Sequence, residues 1–117
     1  MTIPLAGAPA PLCSYKDSTA PSLILEKRNG EMLCWPLHML SHWVYTGPCG
    51  ETMKIVSTNG DTALLCGANL NEIFEALASG KGGKIIEHEE RYAPIATLEG
   101  HRAWVDQMTL TVSEGLR

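Results

Sequence analysis

The sequence predicts an α+β fold, an antiparallel sheet of about five or six strands carrying one main amphipathic helix. Three observations point there. Asn29-Gly30 and Asn59-Gly60 each stand between runs that suit β-strands, and Asn-Gly in that setting is the strongest short-range hairpin signal. An apolar stripe at helical spacing follows the second hairpin. A late run, Trp104 to Val112, alternates apolar and polar residues as a half-buried strand does.

Residues 1–20 are rich in Pro, Ala, Ser and Thr. They offer few large side chains to offset the entropy of ordering, so a flexible arm is expected there. Residues 21–117 are then a single α+β domain. The first hairpin is expected over Ser22 to Leu37. A two-residue turn at Asn29-Gly30 pairs Arg28 with Glu31 and Leu25 with Cys34. That register places Leu23, Leu25, Met32 and Cys34 on the core face. Pro36 cannot donate to a ladder and marks a strand end, bulge or edge. His38 to Gly50 is β-suited in His42-Trp-Val-Tyr45, with a further strand or a short helical turn expected before the Thr46-Gly-Pro-Cys-Gly50 turn.

The second hairpin, Glu51 to Gly67, takes the same register and puts Met53, Ile55, Leu64 and Cys66 inward. Asn69 to Ser79 reads as a helix. Asn69 is its expected N-cap, Glu72 stands at the capping-box position, and Leu70, Ile73, Phe74 and Leu77 form the stripe. Gly80 ends it. Gly82-Gly83 is expected to be a flexible connection, Lys84 to Glu89 a short strand, and Arg91 to Arg102 irregular. In Trp104 to Val112, the residues Trp104, Met108, Leu110 and Val112 share one face. Ser113 to Arg117 is a polar tail.

The 117 residues suffice for one hydrophobic core, with 44% hydrophobic and 19% charged residues. A net charge of −4 argues against a general nucleic-acid binder, which needs a basic face to displace counterions. It disfavours anionic membrane surfaces too, and no run is long enough to span a bilayer. The first residues lack a basic n-region and carry prolines, so no signal peptide is expected. The chain is therefore expected to be cytoplasmic, with Cys13, Cys34, Cys49 and Cys66 as reduced thiols.

Several clusters could carry chemistry. Cys34, His38, His42 and Cys49 are a tetrahedral zinc set by residue type. Their spacing lacks the close cysteine pair of common zinc modules, and the chain must bend for Cys34 and His42 to share an ion. The bland alternative is a small buried thiol beside edge histidines. Ser79-Gly-Lys-Gly-Gly-Lys84 looks like a phosphate loop, but it follows a helix and precedes a strand, the reverse of the required polarity. Glu87, His88, Glu89 and Glu90 could hold a hard cation or support acid-base work. Such a run is more often a solvated strand edge. Trp35, Trp43 and Tyr45 concentrate amphipathic rings in a chain poor in aromatics, which suits an interface. They could equally cap the end of the core.

The sequence therefore points to a non-catalytic protein-binding or self-assembly module. A homodimer with Trp43 or Tyr45 near the contact is expected, and no cofactor. A zinc domain is the alternative from another class. A small hydrolase or transferase using His88 and nearby carboxylates is the third.

Overall fold

A computed structural model describes residues 14–47, 50–89 and 102–112. Its strands are β1 (Tyr15–Ser18), β2 (Ser22–Glu26), β3 (Met32–Pro36), β4 (Leu40–Thr46), β5 (Glu51–Ser57), β6 (Thr62–Ala68), β7 (Gly82–Ile86) and β8 (Trp104–Thr111). A 3₁₀ turn, Leu37–Met39, precedes β4, and the helix α1 (Asn71–Ala78) lies between β6 and β7. The α+β class holds, with mostly strands and one α-helix among the described residues. The arrangement is not one sheet of five or six strands. The described residues form two four-stranded sheets, ordered β1-β7-β2-β3 and β4-β5-β6-β8. The first is mixed, because β2 and β7 run parallel.

Both hairpins form where Asn-Gly predicts them, but one residue out of the expected register. Gly30 N–H donates to Lys27 O (3.0 Å), and Lys27 N–H donates to Glu31 O (2.8 Å). The loop is therefore Arg28-Asn29-Gly30, three residues, closed by a glycine at φ +96°. A two-residue type I′ turn would need positive φ at Asn29 as well. Asn29 instead keeps negative φ, and its Oδ1 accepts Glu31 N–H at 2.9 Å. The second hairpin repeats this. Gly60 N–H donates to Ser57 O, Ser57 N–H to Asp61 O, and Gly60 has φ +93°.

A one-residue slip turns every side chain of the second strand over. Leu25 faces Leu33 rather than Cys34, and Leu23 faces Trp35. Trp35 enters the core at 5% exposure, while Met32 is 54% exposed and Cys34 lies outside. In the second hairpin Met53 and Ile55 pair with Leu65 and Ala63, all fully buried. Leu64 points out at 41% exposure, and Cys66 is half-buried. The expected inward positions of Met32, Cys34, Leu64 and Cys66 are thus corrected.

The helix starts at Asn71, two residues later than the sequence suggests. Asn69 adopts φ +56°, which Asn tolerates better than most residues, and its side chain donates to Arg102 O (3.2 Å). It is not the N-cap. The Leu70 N–H is satisfied by the Glu51 carboxylate at 2.9 Å, a cap delivered from β5. Glu72 does not close a capping box; its Oε1 accepts Ala103 N–H and its Oε2 the Arg102 Nε. The C-terminal end matches expectation. Gly80 (φ +79°) donates to Leu77 O and Lys81 to Ala76 O, the paired bonds of a Schellman ending. Leu70, Ile73 and Leu77 bury the stripe, with Phe74 at its margin.

Gly82 and Gly83 do not form a loose connection. They open β7, which sits between β1 and β2. A Cβ at Gly82 would lie 2.0 Å from Ser22 O, and Gly83 has φ +147°. These strands approach so closely that only glycine fits. Tyr15–Ser18, placed by sequence in a flexible arm, forms strand β1 at the edge of this sheet. Residues 1–13, 90–101 and 113–117, which hold most of the expected N-terminal arm, most of the Arg91–Arg102 stretch and the expected polar tail, lie outside the described residues. In β8 a register shift opposite Cys66 and Gly67 brings Val105 as well as Met108 into the core, so the single-face alternation from Trp104 is broken.

The Tyr15 ring is buried, and its hydroxyl donates to Gly82 O at 2.8 Å. Burial chiefly, then Asp17 and Glu72, pushes its pKa up to about 12. The folded state thus holds a proton that the unfolded chain releases above pH about 10. Stability should be intact below pH 10 and fall by roughly 2–3 kcal/mol as pH rises toward 12. Tyr15→Phe should flatten that slope in urea titrations; an unchanged slope would remove Tyr15 as its source.

Candidate functional site: the outer edge of β4

Two sheets of four strands leave four edges, and an open edge is a row of backbone donors and acceptors. One of the four is covered, one is short and charged, and one ends in a proline. Along β8, His88 N–H donates to Val105 O, Lys27 Nζ to Met108 O at 2.7 Å, and Met108 N–H to Glu87 Oε2 at 2.8 Å. The edge strand β1 has four residues, two of them Lys16 and Asp17, and Arg102 donates to its Tyr15 O. On β3 the pairing alternation turns Met32, Cys34 and Pro36 outward, and Pro36 has no N–H to offer.

β4 differs. Its sequence is Leu-Ser-His-Trp-Val-Tyr-Thr, with neither a Lys, Arg, Asp or Glu nor a proline. Ser57 bonds toward β6 through Asp61, so alternation turns Val56, Lys54 and Thr52 toward β4. His42, Val44 and Thr46 answer them in register. Trp43 and Tyr45 therefore direct their N–H and C=O groups away from the sheet. Among the described residues no backbone group pairs with these two.

The side chains divide the other way. Trp43 and Tyr45 turn inward and pack, half-buried, against the core. The Tyr45 hydroxyl donates to Glu51 Oε1 at 3.1 Å, and partial burial, then Glu51, raises its pKa. Trp43 meets Phe74 of α1 edge to face at 6.4 Å. Beside that contact a groove of about 290 Å³ opens, lined by Ser41, His42, Trp43, Phe74 and Ala78. Val44 points outward at 50% exposure. In the same row across the sheet stand Lys54, Leu64 and Thr109. An edge of unpaired backbone beside an aromatic groove is the arrangement that accepts an added β-strand.

Another groove of about 310 Å³ crosses the outer face of the first sheet, between Lys16, Ser18, Ile24 and Lys84. Gly83 lies in its lining, and the missing side chain there is required by strand packing. Its shape follows from the fold.

The other residues singled out by sequence fall as follows. Cys34 is exposed on β3, His38 is exposed in the 3₁₀ turn and His42 is exposed on β4; Cys49 lies outside the described residues. Among those described, no three His, Cys, Asp or Glu side chains gather as a metal site. Trp35 is in the core, leaving Trp43 and Tyr45 as the members of the aromatic trio with surface to offer. Glu87 is buried and accepts two backbone N–H groups, and His88 stacks on Trp104 with centroids 5.2 Å apart. Glu90 is outside the described residues. The β4 edge itself was missed in sequence, although a signal was present: seven β-suited residues without a formal charge.

Among the described residues no helix is long and apolar enough to cross a membrane. Comparison of the chain with family models, curated proteins and solved structures finds no match.

Proposed function

We propose that this chain is a non-catalytic module that binds protein by strand addition along β4. The observation that carries this reading is the β4 edge, seven residues without a formal charge or a proline whose Trp43 and Tyr45 backbone groups have no partner among the described residues. A bound strand would take backbone bonds from Trp43 and Tyr45. Its alternate side chains would lie over the groove beside Phe74. Main-chain bonds supply affinity in this mode, and the groove supplies selectivity.

The test uses a synthetic peptide of residues Leu40–Thr46 as strand donor. Titrated into the full chain, it should shift the amide resonances of Trp43 and Tyr45 and slow their exchange with solvent. Tyr45→Pro removes an outward N–H, a position where an edge strand tolerates proline. It should weaken binding about tenfold, through one lost hydrogen bond and the ring's bulk. Tyr45→Phe should bind as the wild type does. No response at either amide with millimolar peptide would overturn the reading.

A further inference from the structure

We infer that the strand added to β4 is β4 of a second copy, antiparallel across a two-fold axis at Val44. This rests on the strand-addition reading above and names its occupant. Register and chemistry both select it. Residues that direct backbone outward must face each other in an antiparallel pair. An axis at Val44 sets Trp43 opposite the second copy's Tyr45, and Tyr45 opposite its Trp43. Each of these pairs can exchange two N–H···O bonds. His42 then faces Thr46, and Val44 faces its own mate at the close, non-hydrogen-bonded spacing. The pairing uses only His42 to Thr46, which avoids the irregularity between Leu40 and His42 in the β4–β5 register.

The charges are compatible with self-pairing. A two-fold contact sets each residue near the axis against its like, so a charge there would meet the same charge. β4 has none of formal sign. The charges beside it, Lys54 cross-strand from Val44 and Glu51 bonded to the Tyr45 hydroxyl, both lie one strand away in β5. The Lys54 mate across the axis would be three strand spacings distant, about 14 Å, beyond the range of strong interaction at physiological salt. On the inner face, Trp43 of one copy and Tyr45 of the other become direct cross-strand neighbours beside the groove at Phe74. Aromatic pairs of this kind stabilise strand pairing. Five paired residues span only about 17 Å. The contact is therefore at the small end of specific interfaces, below about 1,200 Å², and the dimer is a weak and reversible one.

The experiment is sedimentation of the full chain with two charge variants at the axis. Val44 is half exposed, so Val44→Lys and Val44→Glu should keep the fold, checked by melting because Lys54 is the cross-strand neighbour. Wild type should dimerise reversibly with concentration. Each variant alone should self-associate about tenfold or more weakly, since like charges meet across the axis. An equimolar mixture of the two should recover the dimer, because Lys then faces Glu. That recovery is specific to a residue that faces itself. A mixture as monomeric as its components would overturn the Val44 axis. A wild-type chain that stays monomeric while the Leu40–Thr46 peptide binds would overturn the second copy and leave strand addition standing. Absence of both dimer and peptide binding would remove the underlying reading as well.

Discussion

Trp35→Ala should destabilise the protein by about 3–5 kcal/mol, the usual cost of truncating a buried large aromatic. Cys34→Ser should change stability by less than about 0.5 kcal/mol, as exposed substitutions do. The two neighbours stand on opposite faces of β3, with Trp35 against Leu23 in the core and Cys34 on the surface. A two-residue turn at Asn29-Gly30 would reverse the order. Cys34 would be buried beside Leu25, and Trp35 would cover the outer face. Urea unfolding of both variants decides between the registers. Reaction of native Cys34 with a thiol reagent is a second readout, fast for an exposed thiol. A silent Trp35→Ala beside a damaging Cys34→Ser would overturn the three-residue loop.

That contrast also shows how far the sequence could be read. The hairpins were legible because Asn-Gly between β-suited runs has a local cause, the ease with which glycine takes positive φ. Loop length was not, because it depends on whether Asn29 and Asn59 themselves adopt positive φ. Asn29 bonds its own side chain to Glu31 N–H instead, and Asn59 likewise accepts Asp61 N–H at 3.3 Å. One residue of loop moved Leu64 and Cys34 out and Leu65 and Trp35 in. The helix stripe was legible because four apolar residues repeat at its period. Its start was not, because the donor at Leu70 is answered by Glu51 from another strand. The glycines at 82 and 83 carry opposite meanings in a loop and in a crowded central strand. Only the position of Ser22 O tells them apart. The aromatic trio drew attention to the right stretch of chain, but an edge exists only once the strand order is known.

Glu87→Ala should cost about 3–5 kcal/mol, because it strips acceptors from two backbone donors in different parts of the fold. Glu87 is 7% exposed. Its Oε1 accepts Arg28 N–H in the first hairpin loop at 3.0 Å, and its Oε2 accepts Met108 N–H at 2.8 Å. The Arg28 guanidinium is 4.0 Å away and half exposed; solvent screens that pair, which adds little. The weight therefore rests on the two N–H bonds, of which the one to Met108 is dry. Glu87→Gln separates shape from acceptor number. It keeps the volume, but its amide can accept only through oxygen and turns a donor toward the second N–H. A loss of about 2–3 kcal/mol is expected for it, below that of Ala. The same carboxylate helps to close the edge of β8. Glu87→Ala should therefore aggregate more readily than Trp35→Ala at equal loss of stability, because it bares strand edge as well as weakening the core. Light scattering of the two variants, at urea concentrations that match their folded fractions, measures that difference. Equal scattering would show that the β8 edge is closed without Glu87.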